Sequence, residues 1–359
     1  MKSKRKMKRA LAIVLAAAMT LTLGACGSPS GTSGASSSGA SNAAANSAGS
    51  KDKVVIQVAY ENNPGEPVDA AAKEWQKLIA EKSNGTMEIK LFPSSQLGSK
   101  TDLIDQIVMG EPIITICDGS FLAEYGAPEL AIVSAPYVFQ NFDQCWKLIK
   151  TDWWSQQADL LAQKGVHIVT TNWIFGERNI MTTKPVKTIG DMKGLILRTP
   201  NTPSYMKAFQ LMGAAPTAMA IGDVYTALQQ GTIDGLENTF TTLYGGAYYE
   251  VAKYITMTKH VEMFAQWICS EKWFDGLTKE QQQILAETGD QAGLKNNDLQ
   301  TNGTEDYMNK MKDKGVTIID LSDAERAKFE EASAALYKDS TITKDWRNDL
   351  YGYIQGLVK

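Results

Sequence analysis

The chain is 359 residues long, 43% hydrophobic and 21% charged, which excludes a disordered protein and supplies core enough for two domains or one large one. Its formal charge is −4, but the first 25 residues carry six basic groups and no acid, leaving thirty basic against forty acidic side chains in the remainder. An acidic body with no Lys or Arg run after Arg9 does not suit the phosphate backbone of a nucleic acid, and that partner class is set aside.

Ala10 to Leu23 is apolar for about 14 residues, short of the roughly 20 that cross a bilayer, and reads as the h-region of a secretory signal over residues 1–25. It ends in Leu23-Gly24-Ala25-Cys26, which resembles a bacterial lipobox and implies a lipidated Cys26 as the first mature residue; an ordinary cleavage site before a chance cysteine is the alternative. Residues 27–50 are all Gly, Ser, Ala, Thr, Asn or Pro, so 26–52 reads as a coil tether of roughly 25–30 Å. A body held outside the cytoplasm on a membrane surface by a lipid anchor is the expectation.

Val54–Tyr60 is β-rich and runs into the loop Glu61-Asn62-Asn63-Pro64-Gly65. Ala71, Trp75, Leu78 and Ile79 then recur at helical spacing up to Ser83-Asn84-Gly85, and Met87–Phe92 alternates as a strand. Leu103, Ile104, Ile107 and Val108 predict a second helix ended by Gly110, before the apolar strand Ile113–Cys117. This β-α-β-α-β order implies right-handed crossovers and a parallel sheet flanked by helices. Further strands are expected at Val166–Thr171, Leu195–Arg198 and Val316–Leu321, with helices over Asp223–Gln230, Lys279–Asp298 and Asp323–Tyr337. Ligands of such sheets sit beyond the strands' carboxyl ends, where Glu61-Asn62, Asp118 and Arg198 fall.

Beyond Cys26, the cysteines Cys117, Cys145 and Cys269 are odd in number and widely spaced, which supports neither a disulfide framework nor a zinc site, although a single bridge stays open. His167, inside Val166-His167-Ile168-Val169, reads as a satisfied strand histidine. No metal, nucleophile-elbow, dinucleotide or phosphate-loop pattern occurs, so no cofactor is expected and an enzyme is the minority reading.

Several motifs carry a family resemblance. Phe92-Pro93-Ser94-Ser95-Gln96-Leu97-Gly98, Ala135-Pro136-Tyr137, Gly176-Glu177-Arg178, Asp191-Met192-Lys193-Gly194-Leu195-Ile196-Leu197-Arg198, Gly213-Ala214-Ala215-Pro216-Thr217, Asp223–Gly231 and Asp234-Gly235-Leu236-Glu237-Asn238 stand in order over nearly all of 53–359. Together they resemble the solute-binding subunits of TRAP (tripartite ATP-independent periplasmic) transporters, the DctP-like family. The chain departs from the pattern at Thr199 and Thr239. The resemblance implies an α/β, two-lobed periplasmic-binding-protein-like fold, with central mixed sheets flanked by helices and a long helix bridging the lobes. It divides the body into 53–175 plus about 263–300, and 176–262 plus about 301–359. It implies a small organic acid as ligand and membrane permease subunits as partners, and it places ligand residues at Arg198, Arg178, Asn238 and Asn201, with Glu61 (Asn62 beside it) and Asp118 as polar residues after the first and third strands.

The chemistry of these residues suits the task. A guanidinium offers a planar fork to both oxygens of a carboxylate and keeps its charge in a closed crevice. Arg198 follows the apolar Leu195-Ile196-Leu197, which fixes its base; for Arg178 a structural salt bridge to Glu177 or Asp191 is the competing role. Asn238 donates and accepts, or caps its turn. Trp173, Phe175, Phe121 and Tyr137 are candidate pocket walls, and Tyr225 reads as packing. Glu61 and Asp118 accept from hydroxyls and repel a second carboxylate, which favours a sugar acid such as a uronate over a C4-dicarboxylate; the opposite case gives Arg178 and Arg198 one carboxylate each. An extracytoplasmic enzyme using Glu61 with Asp118, and a receptor-coupled sensor, are the competing classes.

Overall fold

The structure, a computed structural model, describes residues 53–359; the expected leader, Cys26 and the tether lie outside them. Three strands, Val54–Ala59 (β1), Met87–Phe92 (β2) and Ile113–Cys117 (β3), form one parallel end of the sheet. Ile56 lies opposite Ile89 and Val58 opposite Ile114, so the apolar sets share a register. The helix Pro67–Lys82 opens with proline at its first turn. The helix Lys100–Met109 is capped reciprocally by Ser99 and Asp102 and closed by Gly110 at φ +103.

The chain then lays down Val166–Thr182 (β4), Ile196–Thr199 (β5), Ala215–Ala218 (β6), Gly235–Thr239 (β7), Tyr254–Ser270 (β8) and Thr317–Ile319 (β9). The sheet order is β2-β1-β3-β8-β4-β7-β5-β6, with β9 also beside β8. β5 runs parallel to β6 and β7, giving a second parallel end. Between the ends, β4 and β8 run antiparallel for 17 residues each and belong to both lobes. Their pairing breaks at bulges, one of them between Ile174 and Gly176, where Gly176 takes φ +123. A bulge bends and twists a strand, and it is here that the sheet passes from one lobe to the other.

β4 was expected to end at Thr171, and β8 was not anticipated. The alternation of β4 fails at these bulges, and β8 is buried on both faces over most of its length, so neither shows a period-2 pattern.

The helix Lys279–Asp313 has 35 residues, about 52 Å at 1.5 Å per residue. It continues past the expected end at Asp298, through the polar run Asn296–Thr304, because tertiary contacts replace propensity. Thr288 Oγ1 accepts from Trp75 Nε1 at 3.0 Å, Asn296 Nδ2 donates to Ile174 O at 2.7 Å, and Asn297 Oδ1 accepts from Ile174 N at 2.7 Å. The helix thus clamps β4 beside the crossing. Among the described residues no helix is long and apolar enough to cross a membrane.

The carboxyl terminus corrects the expected lobe division. Leu350, Ile354 and Val358 form an i, i+4, i+8 stripe on the helix Leu350–Val358 and join the core of Leu103, Phe121 and Leu148. The last helix therefore covers the lobe of β1–β3, not the lobe to which 301–359 was assigned. An apolar stripe must be buried, and the helix Phe142–Leu148 offers the open face.

Candidate functional site

The carboxyl ends of the strands in both lobes face a common cavity of about 560 Å³. The first lobe contributes Glu61 and Asn62 after β1, Asp118 after β3 and Lys100 at a helix start; the second contributes Arg198 and Asn201 at the end of β5, and Asn238 on β7. Phe175, Arg178, Met263 and Ala265 line it from the crossing strands β4 and β8.

Seven of the eight expected ligand residues therefore line one cavity, and Trp173 does not. Its ring is fully buried against Trp267, centroids 5.2 Å apart, and Trp75, at 6.3 Å, and Nε1 donates to Gly289 O at 3.2 Å. Trp173 precedes the Gly176 crossing and points into the core of the first lobe. Phe121, Phe175 and Tyr225 reach the cavity; Tyr137 packs with the second lobe, its hydroxyl donating to Thr258 O. Tyr225, read as packing, donates its hydroxyl to Glu250 Oε2 at 2.6 Å.

The cationic groups differ in how they are paired. Arg178 gives Nε to Glu237 Oε2 and Nη2 to Glu237 Oε1, both at 2.6 Å, while Nη1 meets Met263 Sδ. Glu237 also accepts from His260 Nε2 at 3.1 Å, and His260 Nδ1 accepts from Thr258 Oγ1. All of this network is buried. Burial pushes the Glu237 carboxyl up, but the adjacent guanidinium and the two hydrogen-bonded partners outweigh it and hold it at about 2. Burial keeps His260 below its ordinary range, as befits a neutral imidazole with one donor and one acceptor nitrogen.

Arg178 therefore has a structural salt bridge, with Glu237 as partner in place of the expected Glu177 or Asp191. Glu177 pairs with Lys259, and Asp191 accepts from the backbone of Lys187 and Thr188.

Arg198 is different. Nε donates to Met219 O at 2.9 Å, and among the described residues neither Nη nitrogen has an acceptor. The side chain is only 4% exposed, and burial pulls its pKa below the ordinary value. Arginine stays charged nonetheless, so this is a desolvated cation with an open fork toward the cavity.

On the facing wall, Glu61 Oε2 lies 3.0 Å from Lys100 Nζ, which also donates to Ile116 O at 2.8 Å. Asp118 caps the short helix Gly119–Leu122: its Oδ1 accepts from Ser120 N, Ser120 Oγ and Ser134 Oγ, while Oδ2 has no partner among the described residues. Asn62 Nδ2 donates to Glu66 Oε2 at 2.7 Å. Glu66 is buried, accepts from Asn63 N and reaches Thr242 Oγ1 across the cleft. Its burial, only partly offset by these neutral donors, pushes the carboxyl up to about 7. Asn238 Oδ1 accepts from Thr239 N, leaving Nδ2 for the cavity. Asn201 sits exposed at the rim.

Lys100, Glu66 and Glu237 escaped sequence reading. Lys100 follows an N-cap serine and looks like a solvated first-turn residue; Glu237 stands beside Asn238 in a quoted motif, which was its one available signal. Cys117, Cys145 and Cys269 are free thiols, so the open question of a bridge among them is closed. His167 Nδ1 donates to Glu271 Oε2 at 3.0 Å, and its ring stacks on Phe274.

The family model of the bacterial extracellular solute-binding proteins, family 7 (DctP), matches residues 58–344. The sialic acid-binding periplasmic protein of Vibrio cholerae is 30% identical over 274 residues, 75% of this chain and 83% of that protein. Among solved structures, a TRAP periplasmic solute binding protein from Ochrobacterium anthropi with bound L-fuconate is 38% identical at a TM-score of 0.82, covering 86% of this chain and 100% of the other. Its counterpart from Actinobacillus succinogenes with bound L-galactonate is 36% identical at 0.81, covering 85% and 99%.

Proposed function

The chain belongs to the DctP family of bacterial extracellular solute-binding proteins that serve TRAP transporters, and on that premise we propose that its cavity captures a sugar acid with a single carboxylate, a uronate or an aldonate, for delivery to a membrane permease. The observation that carries the reading is the inventory of charge. Arg178 is neutralised by Glu237 and Lys100 by Glu61, so Arg198 alone among the lining cations presents an unpaired fork. One carboxylate answers it, with two parallel charge-assisted hydrogen bonds.

The remaining free groups suit hydroxyls: Asp118 Oδ2 accepts, Asn238 Nδ2 donates and Glu61 accepts. A C4-dicarboxylate would bring a second anion toward Asp118 with no cation to meet it. The fork-per-carboxylate alternative loses its second fork, because Arg178 already holds Glu237. The relatives named above are described as binding L-fuconate, L-galactonate and sialic acid, each a hydroxylated acid with one carboxylate.

Calorimetry with glucuronate, galacturonate, L-galactonate, malate and succinate tests this. Heat and micromolar affinity are expected with sugar acids; micromolar succinate binding with silent sugar acids overturns the ranking. Ligand recovered unaltered after long incubation is expected; an altered ligand would favour an enzyme using Glu61 with Asp118. Anchoring rests on the Leu23–Cys26 pattern alone. Cys26→Ser should free the protein from membranes, and equal retention of both forms defeats the anchor.

A further inference from the structure

We propose that the Glu61–Lys100 ion pair decides which charge the cavity accepts at the ligand end away from Arg198: closed on itself, the pair passes a hydroxyl and rejects a second carboxylate. This deepens the proposed function and rests on Arg198 holding the first carboxylate.

The two charges come from different elements of the first lobe, Glu61 from the loop after β1 and Lys100 from the first turn of the helix Lys100–Met109, and both line the cavity. Their separation is 3.0 Å, with side chains 20% and 11% exposed. A lysine so covered is uncommon without a partner. Its position is fixed from three sides: Glu61, the carbonyl of Ile116 at 2.8 Å, and the ring of Phe121 with its centroid 5.6 Å away. The helix start below it is held by the Ser99–Asp102 capping box, so the ammonium does not swing freely.

What the pair offers a ligand follows from its unused capacity. Lys100 has three N–H donors, of which Ile116 O takes one while Glu61 Oε2 stands 3.0 Å away as its counter-charge; Glu61 keeps Oε1, which has no partner among the described residues. One donor and one acceptor side by side are the complement of a hydroxyl group, which accepts and donates. A carboxylate in that place has no proton to give Glu61 and meets its negative charge at close range, in a site sheltered from solvent.

Arg198 stands on the other lobe, at the end of β5. A chain-like sugar acid bound head-first on Arg198 therefore presents its tail to the pair. A lone lysine would attract any anionic tail; the lysine with its glutamate does not. Removing only the glutamate's charge should free Lys100 for an anionic tail and shift the preference toward aldarates, with Asp118 still opposing any carboxylate placed beside it.

The probes are L-galactonate and galactarate, which differ in the oxidation of the terminal hydroxymethyl group to a carboxylate. Affinities are measured by calorimetry on the mature protein, with melting curves to check folding. Glu61→Gln should raise the galactarate-to-L-galactonate affinity ratio about tenfold or more, and Lys100→Gln should lower it by a similar factor. The second variant keeps the test decisive if the first does not fold. Ratios unchanged in the folded variants overturn the inference. Arg198→Lys, run in parallel, reports on the head: its loss of both ligands alongside unchanged tail ratios leaves the proposed function standing and removes only the role of the pair. Wild-type protein that is silent with both acids defeats the aldonate reading, and this inference with it.

Discussion

Glu237 and Glu66 are equally buried carboxylates on opposite sides of the cleft, yet the first is held at about 2 and the second pushed up to about 7. Burial acts upward on both. At Glu237 it is outweighed by a full guanidinium charge and hydrogen bonds from His260 and Arg178; at Glu66 the donors are an asparagine amide, a backbone N–H and a threonine hydroxyl, and burial wins. The second-lobe side is thus built from opposed full charges that fix Arg178 and leave the Arg198 fork open. The first-lobe wall is built from neutral donors, the Glu61–Lys100 pair and the Asp118 carboxylate, which has no cation beside it. An open fork opposite a wall that offers a cation only within an ion pair fits the proposed ligand with one charged end.

The largest expected effect breaks the charged side. Glu237→Ala leaves the Arg178 guanidinium buried and uncompensated, and should destabilise the protein by about 3–5 kcal/mol in urea unfolding. A loss below about 1 kcal/mol means that Arg178 finds water, and the contrast between the two sides disappears.

Arg198→Ala should weaken sugar-acid binding at least about a hundredfold, about 2.7 kcal/mol or more, without lowering the stability of the ligand-free protein, because no carboxylate is orphaned. Full affinity in the variant removes Arg198 as anchor.

The neutral wall is read by pH. Glu66 binds a proton in the folded state up to about 7, whereas the unfolded carboxyl releases it near its ordinary value of 4.5. The folded state then holds more protons than the unfolded one, so stability falls as pH rises from about 4.5 to 7, by something on the order of 2 kcal/mol. Glu66→Gln lacks this titration, and wild type should lose stability relative to it across that window; parallel curves contradict the assignment. At Glu237 the sign is reversed: its contribution is present above the ordinary carboxylate range and is lost as pH falls toward 2.

The smallest effect concerns the seam between lobes. A Cβ on Gly245 would overlap the Glu66 carboxylate, while Asn63 Nδ2 donates to Gly245 O at 3.1 Å. Gly245→Ala should weaken binding only a few-fold and cost about 1 kcal/mol, since a flexible carboxylate can shift. Small-angle scattering with and without ligand would show whether closure is impaired; an unaffected affinity and envelope would mean that the seam tolerates the methyl group.

Much of the first lobe was legible because each element carries its own signal: β-rich composition in β1, alternation in β2, a continuous apolar run in β3, and helical spacing closed by Gly110 in the helix between them. β4 beyond Thr171 and all of β8 were not, since bulges and two-sided burial erase periodicity. Arg198 was legible from its place after an apolar strand and within a motif. Trp173 was misassigned because an aromatic next to a site motif looks the same whether it faces the core or the cleft; the bulge between Ile174 and Gly176 makes that choice.

By itself the sequence determined which segments could be strands and helices and which side chains carried the chemistry, because local periodicity, capping and residue type are properties of neighbours along the chain. Which charges cancel was decided only by the tertiary structure. Arg178 meets Glu237 from 59 positions away and Glu61 meets Lys100 across a helix start, and a free cation can be told from a neutralised one only when long-range packing has brought, or failed to bring, its counter-charge within reach.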